Sequence, residues 1–280
     1  MKQDKKKRER KPLSKKQKLL LCALLSVLLL AMIGWTLWQN TTVGLTEIVL
    51  QEEGLPYAFN GYRIAQVSDL HDSGLWEKTI QRLKEADPDM IVITGDLIDG
   101  RDPDLAVAEQ FLREAIQIAD CFYIPGNHES YLDADVYGRL LEILQGYNVM
   151  VLDDTKVRIH YNGAYISMAG RGWKEEADLD KLSDFDGYRI LLAHQPEDFE
   201  DFAAAGFDLV LSGHTHGGQL RLPLLGALYA PDQGLFPKYD AGHYSLGESD
   251  LYISRGIGNS GIPFRFCNRP EVVVIELRCK

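Results

Sequence analysis

The sequence contains no CxxC pair, and its four cysteines, Cys22, Cys121, Cys267 and Cys279, are scattered. A thiolate zinc site or a thioredoxin-like motif therefore has no support. Basic charge is missing from most of the chain. There are 30 Lys/Arg against 41 Asp/Glu overall, and residues 1–18 take ten of the basic groups but only two of the acidic ones. The remainder keeps 20 basic and 39 acidic side chains. An acidic body without a basic or aromatic stripe argues against a general nucleic-acid binder, whose affinity comes largely from neutralising phosphates. It is compatible with recruiting divalent cations. Internal repeats are absent, and low complexity is confined to the basic tail. With 280 residues, 45 % of them hydrophobic, the chain is long enough for one large domain or two small ones.

Leu19 to Trp38 is a twenty-residue uncharged run, rich in Leu. As a helix it spans about 30 Å, the hydrocarbon thickness of a bilayer. Its apolar core is longer than that of a cleaved signal peptide. It ends in Gly34-Trp35-Thr36-Leu37-Trp38, whose tryptophans fit an interfacial belt. The run reads as an uncleaved signal anchor with its basic flank in the cytoplasm, which places the rest of the chain outside. The expected organisation is a basic tail over 1–18, a transmembrane segment over 19–38, a linker over 39–45 and a domain over 46–280. So short a linker holds the domain close to the membrane surface. Asn40-Thr41-Thr42 matches a glycosylation acceptor, but so near the membrane the match carries little weight. Cys267 and Cys279 are candidates for pairing if the domain is outside.

Beyond the linker, apolar strands alternate with helical spacing. Tyr62–Ser68, Met90–Thr94 and Phe122–Ile124 read as strands. Trp76–Ala86, a stretch from Asp102 to about Ala119, and Asp135–Gln145 read as helices. Val149–Asp153, Lys156–Tyr161 and Tyr165–Ala169 are consecutive strands, the last two joined by the hairpin signal Asn162-Gly163. A short helix lies near Leu179. Tyr188–Ala193 and Phe207–Leu211 are further strands, separated by a helix over Glu197–Ala205. After Leu220, Gly and Pro are frequent; Leu251–Ser254 and Glu271–Leu277 are the late strands expected. This order implies an α/β core with mixed sheets and helices on the outer faces.

Chemistry-bearing residues fall where strands end. Asp69 and His71, Asp96, Asn127 and His128, His194, and His214 and His216 follow five different strands, and five of the seven histidines are in this set. In open α/β sheets, ligands bind beyond the carboxyl ends of strands. His214 and His216 are two residues apart in Ser212-Gly213-His214-Thr215-His216-Gly217-Gly218-Gln219. That spacing lets both face one site, and the glycines let the backbone approach whatever is bound. A polar turn that happens to carry two histidines is the plainer alternative. The mixture of carboxylate, amide and imidazole without thiolate suits Mn²⁺, Fe or Zn²⁺ rather than Ca²⁺. It holds more ligands than one ion needs, which points to two metals about 3.5–4 Å apart.

Asp69-x-His71, Gly95-Asp96, Gly126-Asn127-His128-Glu129, His194 and Gly213-His214-Thr215-His216 resemble, in order, the five blocks of the calcineurin-like metallophosphoesterases. The resemblance covers about residues 60–220. Residues 222–277, with Gly256-Ile257-Gly258 and Arg269-Pro270-Glu271, are more loosely similar to the membrane-associated bacterial branch. It implies a four-layer αββα sandwich with two mixed sheets, preceded here by the N-terminal transmembrane helix. By the same resemblance, Asp69, His71 and His216 hold one metal, Asn127, His194 and His214 hold the second, and Asp96 bridges them with one oxygen to each. Two divalent ions are implied, Mn²⁺ first, with Fe or Zn²⁺ as alternatives. His128 contacts the substrate phosphate and protonates the leaving oxygen, and Asn127 also orients the phosphate. The implied reaction is hydrolysis of a phosphodiester or pyrophosphate, ahead of a monoester, by a hydroxide activated between the metals. The substrate is expected in the membrane or envelope: a phospholipid, a lipid-linked pyrophosphate or a cell-wall polymer. The competing readings are a non-catalytic metal-binding sensor or scaffold of the same fold, and a nuclease. Neither the substrate nor the oligomeric state can be read from the motifs.

Gly170-Arg171-Gly172-Trp173 replaces the acidic turn that many members carry, and Arg171 and Trp173 read as surface packing, with substrate contact as the alternative. His160 and His243 read as structural, Asp99 as a helix-proximal cap and Glu129 as a partner behind the ligands. Arg265 is a candidate for binding phosphate bidentately.

Overall fold

The computed structural model describes residues 14–173, 178–261 and 263–280. The first thirteen residues of the basic tail lie outside it. The chain divides into two units, Met1–Trp38 and Gln39–Lys280. The described residues of the first belong, after Ser14, to helix α1, Lys15–Asn40, which is long and apolar enough to cross a membrane. Its leucines are exposed throughout, as a helix with no polar face requires if lipid is its solvent.

The second unit begins with β1 (Gly44–Glu52), two residues earlier than expected, then β2 (Arg63–Val67), α2 (Trp76–Ala86), β3 (Met90–Thr94), α3 (Leu105–Ala115), β4 (Asp120–Ile124), the single turn α4 (Asn127–Ser130), α5 (Ala134–Gly146) and β5 (Met150–Val151). It continues with β6 (Thr155–Tyr161), β7 (Ala164–Arg171), α6 (Leu179–Ser183), β8 (Arg189–Ala193), α7 (Phe199–Ala204) and β9 (Leu209–Ser212). Four two-residue strands follow, β10 (Arg221–Leu222), β11 (Gly226–Ala227), β12 (Tyr229–Ala230) and β13 (Gly234–Leu235), and then β14 (Gly242–Leu246), β15 (Ser249–Ile253) and β16 (Glu271–Cys279).

Two six-stranded sheets result, ordered β1-β16-β2-β3-β4-β5 and β14-β15-β9-β8-β7-β6. In the first, β2 to β5 are parallel and β16 runs antiparallel to β2. In the second, β15, β9, β8 and β7 are parallel, with antiparallel edges at β14 and β6. Both sheets are mixed.

The strands explain the layering. The central strands are apolar on both faces, and their successive residues feed different cores. Met90 and Val92 join a core between the sheets with Ile124, Ile190, Leu209 and Leu211. Ile91 and Ile93 point the other way, onto Ile80, Leu83, Phe111, Leu112, Leu140 and Leu144 of α2, α3 and α5. Across the second sheet, Leu191 and Val210 meet Phe199 and Phe202 of α7. The architecture is the expected helix–sheet–sheet–helix sandwich.

Local signals are used as the sequence implies. Asn162 and Gly163 both have positive φ, 47° and 80°, and Tyr161 pairs with Ala164, the geometry of a two-residue hairpin turn. Asp104 rather than Asp102 caps α3, its side chain accepting from Ala106 N–H, and the helix stops at Ala115. The sequence reading missed the β14 edge strand, whose GHYSL stretch has little apolar content. Cys267 and Cys279 are both free. The first precedes the nine-residue β16 and the second ends it. A strand of that length separates its ends by about 26 Å, well beyond disulfide reach.

Leu211 is fully buried between the sheets, so Leu211→Ala is expected to cost about 2–5 kcal/mol. The exposed Leu222→Ala should stay within about 0.5 kcal/mol. Urea unfolding of the detergent-solubilised full chain, followed by intrinsic fluorescence, compares the two.

Candidate metal centre

Parallel neighbours β2, β3 and β4 and parallel neighbours β8 and β9 end along one edge of the sandwich. Their C-terminal turns carry Asp69 and His71, Asp96, Asn127 and His128, His194, and His214 and His216. All eight are buried. Five of them, Asp69, His71, Asp96, His214 and His216, hold positive φ between 46° and 68°. Such backbone is costly for a residue with a Cβ, and it aims side chains back across the strand ends. Gly95, at φ 89°, has room for no side chain: a Cβ there would lie 2.5 Å from His194 Nδ1. At Gly126 a Cβ would run into the Asp96 carboxylate. Gly95 is set by the close approach of a loop from the other sheet, and Gly126 by the neighbouring Asp96 turn of its own sheet.

Two groups of donors converge. In one, His71 Nε2 lies 3.1 Å from His216 Nε2 and 3.5 Å from Asp96 Oδ2. Asp69 Oδ1 is 3.5 Å from His216 Nε2 and 4.0 Å from His71 Nε2. In the other, Asn127 Oδ1 is 3.1 Å from His194 Nε2 and 2.9 Å from His214 Nδ1, and Asp96 Oδ2 is 3.3 Å from His194 Nε2. Ligands at about 2.0–2.2 Å from a tetrahedral ion stand about 3–3.5 Å apart, and these separations match. The residues present therefore fit two cation sites of mixed N/O donors.

Asp96 lies between the two groups. Oδ2 faces both groups, while Oδ1 accepts the His128 backbone N–H at 2.8 Å. The polar groups behind the donors fix their orientation. His194 Nδ1 lies 2.7 Å from the Thr94 carbonyl, which accepts its proton and leaves Nε2 free to ligate. The His214 Nε2 partner is Asp232 Oδ2 at 2.8 Å. Sequence reading missed Asp232: it lies in a Pro-Asp-Gln-Gly turn 18 residues after His214 and belongs to no motif. Glu129 is buried, and its carboxylate accepts from Gly126, Leu97, Asp96 and Ile98 N–H at 2.7, 2.8, 3.0 and 3.4 Å. It clamps the Asp96 turn to the Asn127 turn.

His128 faces the same space. Its Nδ1 accepts the Gly100 N–H at 3.0 Å, so the neutral ring carries its proton on Nε2, which lies 3.3 Å from Ser260 Oγ. Asp99 Oδ1 is 3.3 Å from Nδ1. Asp99 is thus more than the cap expected of it, because the Asp72 carboxylate accepts its N–H at 2.9 Å and turns the loop back towards His128. Ser260 carried no sequence signal.

Arg265 is placed differently from its expected role. It is fully buried. Its guanidinium donates to the Arg255 carbonyl at 2.5 Å, the Asn259 side chain at 3.0 Å and the Gly258 carbonyl, and lies 3.4 Å from His216 Nδ1. With its donors spent on protein it braces His216 from behind and is not open to a phosphate. Trp173 stands at the mouth, its ring centroid 5.7 Å from His214 and 6.0 Å from His194. Arg171 instead pairs with Asp198 at 2.5 Å and packs over Phe202. His160 sits on an outer face of β6, and His243 pairs with Asp250 on exposed β14.

The electrostatics favour cation binding. Burial pushes the His71 and His214 imidazoles down to about 4, and His216 well below its usual range, with His71 and Arg265 adding to the effect. All three are neutral donors near pH 7. Burial also pushes the Asp69 carboxyl up to about 6 and Glu129 to about 7. Burial opposes charge on His194 too, but Asp96 overcomes it and raises the imidazole to about 10. Against the same burial, His194 and His71 hold the Asp96 carboxyl below its usual range.

The Calcineurin-like phosphoesterase profile matches residues 62–218. This chain belongs to that family. The metallophosphoesterase YkuE of Bacillus subtilis (strain 168) is 32% identical over 253 residues, covering 83% of this chain and 85% of its own length. Phosphodiesterase YaeI of Escherichia coli (strain K12) is 30% identical over 224 residues, covering 77% and 82%. The transmembrane protein with metallophosphoesterase domain of Danio rerio is 29% identical, covering 83% of this chain and 56% of that one. Among solved structures, TT1561 of Thermus thermophilus aligns over 71% of this chain and 91% of its own, with a TM-score of 0.48 and 16% identity. Membership of the family supports a hydrolase acting on phosphoesters, and the Asp/His cluster suits divalent metal ions.

Loading the centre must displace the His194 proton, and below about pH 6 that of Asp69 as well. Metal affinity is therefore expected to fall as pH falls, with about one proton released per loading near neutrality and about two under acid conditions. Calorimetry of the chelator-stripped full chain in buffers of different ionisation enthalpy reads this directly. Glu129→Gln, which leaves clamped N–H groups facing an amide, should weaken metal binding by about 10–100-fold without unfolding the chain.

Proposed function

We propose that the protein hydrolyses a phosphodiester or pyrophosphate, ahead of a monoester, with two divalent ions held at this centre, Mn²⁺ being the first candidate and Fe or Zn²⁺ the alternatives. The single observation that carries the reading is the pair of donor groups meeting at Asp96 Oδ2. Asp69, His71 and His216 would hold one ion, Asn127, His194 and His214 the other, with Asp96 common to both. Bound there, the ions supply a nucleophile from water at neutral pH and neutralise charge building on the phosphoryl oxygens.

The chain's own residues do the rest. His128 presents Nε2–H to the space in front of the donors and is placed to donate to a phosphoryl oxygen and then to the leaving oxygen. Gly100 N–H holds the ring from the other side. Asn127, with its carbonyl oxygen towards the histidines, orients the phosphate with its amide NH₂. Trp173 beside His194 and His214 narrows the approach. E. coli YaeI, named a phosphodiesterase, supports the preference for a diester.

The basic flank and the apolar helix support a membrane anchor with the flank in the cytoplasm and the domain outside. The substrate is then a membrane or envelope phosphoester. Protease accessibility on intact cells tests sidedness: digestion of the domain from outside is the expected result.

His128→Ala is expected to keep both metals and lose about 10²–10⁴-fold in kcat, whereas Asp96→Ala should lose metal outright. Metal analysis beside Mn²⁺-dependent turnover of a chromogenic diester and its matching monoester separates these outcomes. Full metal content with normal activity in Asp96→Ala would refute the assignment.

A further inference from the structure

Residues 219–268 add a feature the metal centre does not require. Leu224, Leu225, Leu235 and Phe236 are 105%, 67%, 73% and 68% exposed, with Leu222 and Phe264 at 38% and 47%. Single exposed apolar groups are ordinary, but six on one platform are not. The platform is continuous. Phe236 N–H donates to the Leu228 carbonyl at 3.1 Å and Leu228 N–H to the Leu220 carbonyl at 3.2 Å. Leu220 bridges Phe266, which follows Arg265. Arg265 is tied at both backbone groups to the Asn40 side chain, at 2.6 and 2.8 Å. Asn40 is two residues beyond Trp38, where the apolar stretch ends. The chain thus enters the domain at the loop that carries Phe264.

A cavity of about 190 Å³ with mainly apolar walls shares Leu220 and Leu228 with this ladder. Tyr229 and Pro231 also line it. Its lining includes His216, a candidate donor of the metal centre, and Ser260, whose Oγ is 3.3 Å from His128 Nε2. A phosphorus atom placed before the donor groups and His128 would therefore have apolar walls close by, and two residues of those walls, Leu220 and Leu228, belong to the ladder that carries the exposed Phe236.

We propose that the substrate is a phosphodiester lipid taken from the membrane surface, its hydrocarbon beside the phosphate entering this cavity while Leu224, Leu235 and Phe236 dock in the bilayer. The proposal rests on the hydrolytic reading above and names its substrate class. A bilayer is the occupant because the chain carries a membrane-length helix whose apolar stretch ends at Trp38, two residues before Asn40, the platform's own anchor. In the reaction one ester P–O bond breaks, the oxygen of water forms the new P–O bond, and a proton passes to the leaving alkoxide. An alcohol and a phosphomonoester result, without oxidation or reduction. The rim allows the lipid to be engaged without leaving its leaflet, and the cavity admits the groups next to phosphorus.

The test uses the metal-loaded full chain in detergent micelles and in phosphatidylglycerol–phosphatidylcholine vesicles. Alkyl p-nitrophenyl phosphodiesters of increasing chain length probe the cavity: kcat/KM should rise about two- to fourfold per methylene until the cavity is full. Leu228→Trp, which fills it, should flatten that series. The triple variant Leu224→Glu, Leu235→Glu, Phe236→Glu should lower the ratio of vesicle-lipid to methyl-diester kcat/KM at least tenfold. A flat series in the parent chain, or a ratio unmoved by the triple variant, overturns the proposal while leaving diester hydrolysis intact. Loss of all turnover, the methyl diester included, in the metal-loaded parent would instead refute the hydrolytic reading. A micellar dimer that the triple variant converts to monomer, with lipid selectivity unchanged, would assign the rim to a second copy and likewise overturn the proposal.

Discussion

The Asp96 carboxylate is the constraint around which the other groups arrange themselves. It is buried, one oxygen is committed to a backbone N–H, and the other is aimed at His71 and His194. A carboxylate so placed needs positive charge nearby, because burying an unpaired charge is among the costliest things a fold can do. Without a cation, the His194 proton supplies that charge. A bound cation would supply it instead, in place of that proton. The Asp96–His194 pair and the metal centre are therefore alternative ways of satisfying the same carboxylate.

Holding it there shapes the surrounding backbone. Positive φ at Asp69, His71, Asp96, His214 and His216 costs of order 1–3 kcal/mol at each strained residue. These costs are borne by the cores on both faces of each sheet, which over-determine where every strand stops. Glu129 contributes locally, since one carboxylate satisfies the N–H groups of two turns that would otherwise be buried without acceptors. Structural metal sites gain binding energy on folding, and a centre whose donors already converge loses little of that gain to rearrangement.

The ligand candidates were legible because each follows an apolar strand of four or five residues, and strand ends in parallel sheets share an edge. Met90–Thr94 illustrates this: its apolar run and Gly95-Asp96 mark both the strand and its product. What stayed hidden depends on chain returns of variable length. Asp232 reaches His214 from a small ladder of two-residue strands, too short to leave a periodic pattern. Asp99 reads in sequence as too close to Asp96 to share the site, and the reason it does is the Asp72 carboxylate turning the loop. Arg265 carries the residue type of a phosphate binder, yet residue type says nothing of burial. Its donors are taken up by the Arg255 and Gly258 carbonyls and Asn259. Trp173 reads as surface packing because nothing local shows that β7 ends beside His194 and His214.

That buried arginine also explains how the later part of the chain is joined to the earlier. Its side chain lies behind His216 and its backbone is fastened to Asn40, so one residue links a donor of the metal centre to the point where the chain enters the domain. A guanidinium suits the position because its planar fork can donate to several fixed carbonyls at once while keeping its charge. Lysine, a single point donor on a flexible stem, would leave buried carbonyls without partners. The charge also acts on His216, opposing protonation and so keeping that imidazole available as a donor. The bracing of the centre and the placing of the 264–266 loop are thus one structural event, and a loop so tied cannot shift without moving His216. Whatever residues 219–268 recognise is thereby held in a fixed relation to the atoms that carry out the chemistry.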